Sequence, residues 1–177
     1  FDTFPHRNSL YIRTIQKQMN VNLLSDTEAE QLRQLIAEAE HIVICAHKSP
    51  DGDAIGSSLA WKSYLKQIGK TDVTVCMPDA YPDFLQWLPE ANTILRYDKH
   101  SDRVQQVFDN ADLVCCLDFN QYTRVEDMRP TLEGCKAKRI LIDHHLEPET
   151  NNAITVSNPN MSSTSEMVFY IISQLGG

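Results

Sequence analysis

The feature that most constrains the fold of this chain is a set of three short apolar runs, at 42–46, 113–117 and 139–142. Runs of about five residues that are rich in β-branched side chains are typical of strands covered on both faces. Weaker strand patterns occur at 73–77, 94–95 and 153–156. Helical patterns separate these strands. The alternation predicts the α/β class, with an open, mostly parallel, doubly wound sheet that carries helices on both faces.

Helix-end signals indicate where the helical segments begin and end. Ser25, followed by Glu28, predicts a capping box at the start of a helix over 25–40. Gly69 predicts the end of a helix over 54–68. Further helices are predicted at 82–87, after Ser101, at 122–132 (limited by Pro130) and at 167–175. The domain is therefore expected over 25–177, and residues 1–24 are interpreted as an N-terminal extension.

The charge of the chain limits the partners that it can bind. It carries 16 Lys and Arg against 24 Asp and Glu, which gives a formal net charge of −8. This balance argues against broad binding to duplex DNA or to anionic membranes, because both require a basic surface. The five cysteines are odd in number and form no C-x-x-C pair, which predicts buried, reduced thiols. Since no apolar stretch approaches about 20 residues, the sequence predicts a cytoplasmic protein.

Metal-competent side chains follow each of the three strongest strands. The sequence places His47, Asp51 and Asp53 after the first, Asp118 after the second, and Asp143, His144 and His145 after the third. Because the carboxyl ends of parallel strands meet at one edge of a sheet, we expect these side chains to converge. Carboxylates so close together repel one another unless divalent cations neutralise them. Oxygen and imidazole ligands without thiolate favour Mn²⁺ or Mg²⁺, and a pair of such ions is suited to displacement at phosphorus.

The spacing after the first strand fits two metals rather than one. His47, Asp51 and Asp53 follow the pattern H-x3-D-x-D, and a turn at Gly52 can aim the two carboxylates at different ions. Asp53 is also expected to cap the helix that follows. Gly56, one turn into that helix, permits the close approach of a ligand or another segment.

Four motifs occur in order along the chain: HKSPDGDAIGS at 47–57, Asp118 after its apolar run, the triplet Asp143, His144 and His145, and SSTSE at 162–166. With these motifs the chain resembles the DHH phosphoesterase superfamily, and within it the nanoRNase and pAp-phosphatase branch. The resemblance implies a manganese-dependent enzyme with two metal ions. Its substrates would be short single-stranded oligoribonucleotides, adenosine 3′,5′-bisphosphate, or both.

The resemblance also implies a role for each motif residue. His47, Asp51 and Asp118 would hold one Mn²⁺, and Asp53, Asp118 and His144 the second, with Asp118 as the bridge. His145 would face the substrate phosphate and assist proton transfer, while Asp143 would orient the neighbouring histidine. The expected caps of the last helix, which can also contact phosphate, are Ser162, Ser163 and Thr164.

The superfamily pattern contains two features that these 177 residues lack. One is a further metal-binding Asp after the last helix, and the other is a C-terminal substrate domain. The resemblance therefore predicts a domain that is incomplete at its C-terminus. Alternative functions are a pyrophosphatase or a cyclic-dinucleotide phosphodiesterase of the same superfamily, or a noncatalytic nucleotide-binding module. The sequence is also compatible with a homodimer. Trp61 and Trp87 are interpreted as packing residues rather than base-stacking surfaces.

Overall fold

A computed structural model describes residues 21–177, so residues 1–20, which make up most of the predicted extension over 1–24, lie outside the described part. Within it the strands are β1 His41–Cys45, β2 Asp72–Met77, β3 Leu95–Arg96, β4 Leu113–Leu117, β5 Lys138–Asp143 and β6 Ile154–Ser157. They form one sheet in the order β3-β2-β1-β4-β5-β6, and every pairing is parallel. The predicted fold class is confirmed.

The strand order reverses beside β1. From β1 the chain runs outward through β2 to β3, returns to β4 on the other side of β1, and continues outward to β5 and β6. β1 and β4 are direct neighbours, with Ile42 opposite Leu113 and Cys45 opposite Cys116. In an open α/β sheet, ligands bind in the crevice beyond the carboxyl ends of two such strands. The segments that follow β1 and β4 therefore meet at the position where a ligand site is expected.

Helices cover both faces of this sheet. They are α1 Asp26–Glu38, α2 Gly52–Gln67, α3 Tyr97–Asp109, α4 Arg129–Gly134 and α5 Thr164–Leu175. Successive residues of β1 point to opposite faces. Ile42 and Ile44 pack in one core with α1, α2 and α5, whereas Val43 and Cys45 pack in a second core with α3 and α4. Both faces of the sheet are buried, which explains why its central strands read as continuous apolar runs.

The helices predicted after Ser101 and at 122–132 differ from the prediction. α3 begins at Tyr97 instead of after Ser101, and the backbone of His100 (φ −141°, ψ 47°) introduces a kink near its start. The next predicted helix is a 3₁₀ helix, Tyr122–Met128, followed by α4. Pro130 lies in the first turn of α4, where its missing N–H removes no helical hydrogen bond. The proline therefore starts a helix rather than limiting one.

The two tryptophans occupy opposite environments. Trp61 of α2 is fully buried, and its Nε1 donates to the Cys115 Sγ at 3.3 Å. Trp87 follows the 3₁₀ turn Asp83–Leu85, which replaces the short helix predicted at 82–87, and it is 77% exposed. The interpretation as a packing residue is confirmed for Trp61 and wrong for Trp87.

The five cysteines are buried, and their thiols are free, as predicted. Four of them lie in the paired central strands β1, β2 and β4.

Among the described residues, no helix combines the length and the apolar character that crossing a membrane requires.

Candidate metal centre

Asp51 caps α2 in the loop that follows β1. Its Oδ1 accepts hydrogen bonds from the backbone N–H groups of Asp53 (2.9 Å) and Ala54 (3.0 Å). An N-cap side chain must lie outside the helix to reach these amides, and Asp51 has the extended backbone that this requires (φ −96°, ψ −166°). The prediction that Asp53 caps this helix is wrong, because Asp53 already lies within the first helical turn.

Asp53 instead caps a different helix. Its Oδ2 accepts from the backbone N–H of Thr164 at 2.7 Å, and its Oδ1 accepts from that of Ser165 at 2.8 Å. This contact brings the first turns of α2 and α5 together. A Cβ atom added at Gly56 would lie 3.3 Å from the Ser165 Oγ, so the predicted close approach at this glycine is made by α5.

Asp118 lies at the centre of the site. It follows β4, is 2% exposed, and has a left-handed backbone (φ 63°), which Asp tolerates better than most residues. Its N–H donates to the Ile142 carbonyl at 3.1 Å, and its Oδ1 accepts from the Thr164 Oγ1 at 2.9 Å. The main chain of β5 and the first residue of α5 therefore fix the direction of this carboxylate.

Two histidines face Asp118, one toward each carboxylate oxygen. His47 Nε2 lies 3.5 Å from Asp118 Oδ2, and His144 Nε2 lies 3.7 Å from Asp118 Oδ1. The other ring nitrogen is held by a carbonyl in both cases: His47 Nδ1 donates to Lys48 O at 2.8 Å and His144 Nδ1 to Met161 O at 3.3 Å. A carbonyl can only accept, so each neutral ring keeps its Nε2 lone pair free to bind a cation.

The outer carboxylates complete two groups around Asp118. His47 Nε2 is 3.9 Å from Asp51 Oδ1, and His144 Nε2 is 3.7 Å from Asp53 Oδ2. These separations are too long for good hydrogen bonds and suit donor atoms that share one cation. Donor atoms of His47, Asp51 and Asp118 all lie within 4.8 Å of one another. The same holds for Asp118, His144 and His145, so His145 also lies beside the second group.

Asp143 and His145 form a directed pair at the end of β5. Asp143 is fully buried and accepts from the His145 Nδ1 at 2.7 Å and from the His145 backbone N–H at 3.0 Å. The imidazole of His145 lies against that of His144, with ring centroids 4.5 Å apart. Its side chain is 44% exposed, so its Nε2 is the atom available to a ligand.

The charges in the centre are strongly coupled. Burial raises the pKa of Asp118, and the nearby Asp53 carboxylate raises it further, while the contact with His47 lowers it. In turn the Asp118 carboxylate raises the pKa of His47, against the opposing effect of burial. A divalent cation between these side chains would favour the ionised Asp118 carboxylate and the neutral His47 ring, so it would oppose both pKa shifts.

The serine and threonine residues at 162–164 have two roles. Ser162 and Ser163 contact Glu166 in the first turn of α5, whereas Thr164 contacts the carboxylate of Asp118. Ser163 caps α5, since its Oγ accepts from the Glu166 N–H at 3.0 Å, and Ser162 Oγ donates to the Glu166 Oε2 at 2.6 Å. α5 therefore begins at Thr164, three residues before the predicted start. Thr164 is fully buried, and its hydroxyl contacts Asp118 instead of a space open to substrate. Contact with phosphate stays a prediction for Ser162 and Ser163.

Sequence reasoning missed the residues that hold the motif loop in place. The Ser49 N–H donates to the Asp79 Oδ1 at 2.7 Å, where Ser49 has a left-handed backbone (φ 53°). The Lys48 N–H donates to Arg124 O at 2.9 Å, and the Lys48 Nζ pairs with Glu126. These partners come from the segments after β2 and β4. The only available signal was the position of Asp79 just past a strand end, which many ordinary turn residues share.

The fold and the site define an α/β protein with a carboxylate and imidazole centre at the switch point of its sheet. The chain matches the model of the DHH family, N-terminal domain, over residues 41–176. The chain therefore belongs to the DHH family, and the resemblance inferred from its motifs is confirmed.

Comparisons with individual proteins agree with this assignment. The bifunctional oligoribonuclease and PAP phosphatase NrnA of Thermus thermophilus is 36% identical over 135 residues, which are 76% of this chain and 37% of that protein. The crystal structure of an exopolyphosphatase-related protein from Bacteroides fragilis has 41% identity and a TM-score of 0.83, over 86% of this chain and 44% of that one. The exonuclease RecJ bound to manganese shares the fold, with a TM-score of 0.52 and 17% identity over 88% and 39% of the two chains. The chain spans less than half the length of each of these proteins.

The capping contact predicts that Asp51 stabilises α2 through its hydrogen-bonding oxygen and not through its negative charge. Asp51→Ala should lower the free energy of unfolding by about 1 kcal/mol, because two helix amides lose their acceptor. Asp51→Ser keeps a capping oxygen and should unfold like the parent protein, although it lacks the carboxylate. Urea denaturation measures the free energy of unfolding of each variant, and an unchanged m value shows that the variants can be compared with the parent protein. Equal destabilisation by the two substitutions would show that the cap does not stabilise α2.

Proposed function

We propose that this chain supplies the metal centre of a manganese-dependent phosphoesterase that hydrolyses short oligoribonucleotides and adenosine 3′,5′-bisphosphate. The observation that carries the proposal is the position of Asp118, which is 2% exposed and turns one carboxylate oxygen to each of two histidines. A carboxylate that turns one oxygen to each side can bridge two cations, and the histidine beside each oxygen supplies a further donor for one of them.

The donor set fits two such ions. His47, Asp51 and Asp118 would hold the first, and Asp53, Asp118 and His144 the second. Oxygen and imidazole donors without thiolate suit Mn²⁺ or Mg²⁺, and RecJ of the same fold is bound to manganese. When bound, the ions would polarise the phosphoryl oxygens and lower the pKa of a bound water.

His145 is the residue proposed to move a proton at the substrate. Asp143 accepts from its Nδ1, which fixes the tautomer and leaves Nε2 to exchange a proton with the phosphate ester. Asp143 is buried and contacts His145 by both of its oxygens, so it would act by orienting the imidazole.

The relationship with NrnA supports a short RNA or a small nucleotide as substrate, since that protein is named for activity on oligoribonucleotides and PAP. The net charge of −8 argues against extended duplex DNA. The five free thiols favour a reducing compartment, and we therefore place the protein in the cytoplasm.

A second candidate function is hydrolysis of phosphoanhydrides such as pyrophosphate. It is favoured by the 41% identity with a protein described as exopolyphosphatase-related. Activity of the full-length protein on di- to pentaribonucleotides, adenosine 3′,5′-bisphosphate, cyclic-dinucleotide products and pyrophosphate, with and without Mn²⁺, separates these functions. Binding of nucleotides without turnover of any of them would identify a noncatalytic module.

Asp118 should be the least replaceable residue of the centre. Asp118→Asn removes the one carboxylate within residues 21–177 that faces both histidines, and we expect a loss of roughly a thousandfold in kcat/KM. Asp143→Asn should cost roughly 10- to 100-fold, because it changes only the orientation of His145. Wild-type kinetics of Asp118→Asn with Mn²⁺ would contradict the two-metal assignment.

Substitutions of His144 and His145 should have different effects on Mn²⁺ binding and on kcat. His144→Ala removes a donor that faces Asp53 and Asp118, so it should raise the Mn²⁺ concentration needed for activity. His145→Ala should leave Mn²⁺ binding near normal and lower kcat. Isothermal calorimetry with Mn²⁺, combined with steady-state kinetics, distinguishes the two. If only the His145 substitution weakens Mn²⁺ binding, the two roles are reversed.

Binding of Mn²⁺ should release protons near neutral pH. Asp118 raises the pKa of His47 above its ordinary value of 6.5, so the ring is protonated below that raised pKa and must lose its proton to become a ligand. Affinity should therefore fall as the pH drops through this pKa. Calorimetry in buffers of different ionisation enthalpy should detect more proton release at pH 6.5 than at pH 8. His100→Gln, an exposed histidine outside the centre, is the control and should not alter the release.

A further inference from the structure

The most exposed large apolar side chains of the described domain lie in loops that follow strands of the sheet. Among the described residues, the three most exposed are Trp87 (77%), Phe84 (72%) and Leu146 (70%). All three lie in loops at the carboxyl ends of strands: Phe84 and Trp87 after β2, and Leu146 directly after the histidine pair of β5. Exposed apolar groups that cluster beside a site indicate contact with a ligand or a partner.

The loop that carries Phe84 and Trp87 is tied at its start to the loop that holds Asp51. Asp79, at the start of this loop, accepts from the Ser49 N–H of the motif loop at 2.7 Å. The loop then packs on α2, where Leu88, Pro89 and the helix residues Gly56 and Leu59 line a cavity of about 270 Å³. Gly56 lies three residues after Asp53, about 4.5 Å further along the helix axis.

The two aromatic rings are held outward by a buried neighbour. Leu85 lies between Phe84 and Trp87 in the 3₁₀ turn and is only 8% exposed. Its anchoring in the core leaves the flanking rings at the surface. Both rings therefore stand on an ordered turn.

The charge of the chain favours an apolar contact with an oligonucleotide. The centre is lined by carboxylates in a chain of net charge −8, so it repels a phosphate backbone except where cations are bound. Lys48, the basic residue within the motif loop, is already paired with Glu126. Stacking on an aromatic ring binds any nucleobase and does not depend on a basic groove.

We propose that Trp87 and Phe84 form a nucleobase-stacking surface for a short single-stranded oligoribonucleotide, on the side of the metal centre that α2 borders. The inference rests on the proposed function, since it assumes that the scissile phosphate lies at the metal centre. The bases next to that phosphate would stack on the rings, with little preference among the four bases. This surface would favour RNA over base-free phosphate compounds.

The fluorescence of Trp87 provides a direct test in the full-length protein. A triribonucleotide with phosphorothioate linkages should quench the exposed tryptophan emission, whereas an abasic oligomer with the same backbone should not. Trp61 is fully buried in the described domain, so Trp87→Phe should abolish the part of the quenching that depends on Trp87 while leaving the emission of every other tryptophan in place. Absence of quenching by the triribonucleotide at concentrations where it inhibits turnover would overturn the proposal.

Kinetics of single variants provide a second test. Trp87→Ala and Phe84→Ala should each raise KM for triribonucleotides by roughly 10-fold, with a smaller change in kcat and unchanged calorimetric binding of Mn²⁺. Trp87→Phe should retain most of the affinity, because it keeps a ring. Phe169→Ala is the matched control: this residue is 49% exposed on α5 and should leave KM unchanged.

The remaining outcomes also decide the question. An unchanged KM in both alanine variants, in a protein that hydrolyses the triribonucleotide, overturns the stacking surface and leaves the proposed function intact. A change of oligomeric state in Trp87→Ala, measured by sedimentation, overturns it in favour of a protein interface. A wild-type protein that binds Mn²⁺ but neither binds nor hydrolyses RNA overturns the proposed function and this inference together.

Discussion

The carboxylate of Asp118 is the group on which the rest of the site depends. It is 2% exposed, and burying a charged group costs free energy unless hydrogen-bond donors or opposite charges contact it. Thr164 donates to one oxygen of this carboxylate. His144 faces the same oxygen, and His47 faces the other one. The switch point of the sheet makes this possible, because only there do the loops after β1 and β4 share one crevice.

The N-terminus of α5 ties this centre to the remainder of the domain. Its backbone amides donate to both oxygens of Asp53, and its first side chain donates to Asp118. Free N–H groups and the helix dipole favour negative charge at this end of a helix. One helix start thus orients a carboxylate from α2 and another from β4, which are 65 residues apart in sequence. The geometry of the centre is therefore a property of the folded domain and not of any single motif.

The surroundings of the centre have the opposite character. Carboxylates and imidazoles occupy the crevice, while Phe84, Trp87 and Leu146 are exposed in the loops that follow β2 and β5. The stacking surface that we propose would add apolar contacts beside this polar centre, which would suit a ligand that has both phosphates and planar bases.

The sequence by itself determined the fold class, and it predicted which polar side chains converge at one edge of the sheet, because both follow from local pattern. Apolar runs covered on two faces specify parallel strands, and the polar residues that end them must emerge at one edge. Tertiary structure alone decided that Asp51 rather than Asp53 caps α2, that Thr164 lies behind Asp118, and that Trp87 is exposed while Trp61 is buried. The Asp51 cap is a local contact, but the role of Asp53, the position of Thr164 and the burial of Trp61 depend on contacts between segments distant along the chain. Asp53 accepts from the backbone amide of Thr164, 111 residues away. The sequence around Asp53 contains no pattern that predicts which helix begins beside its side chain.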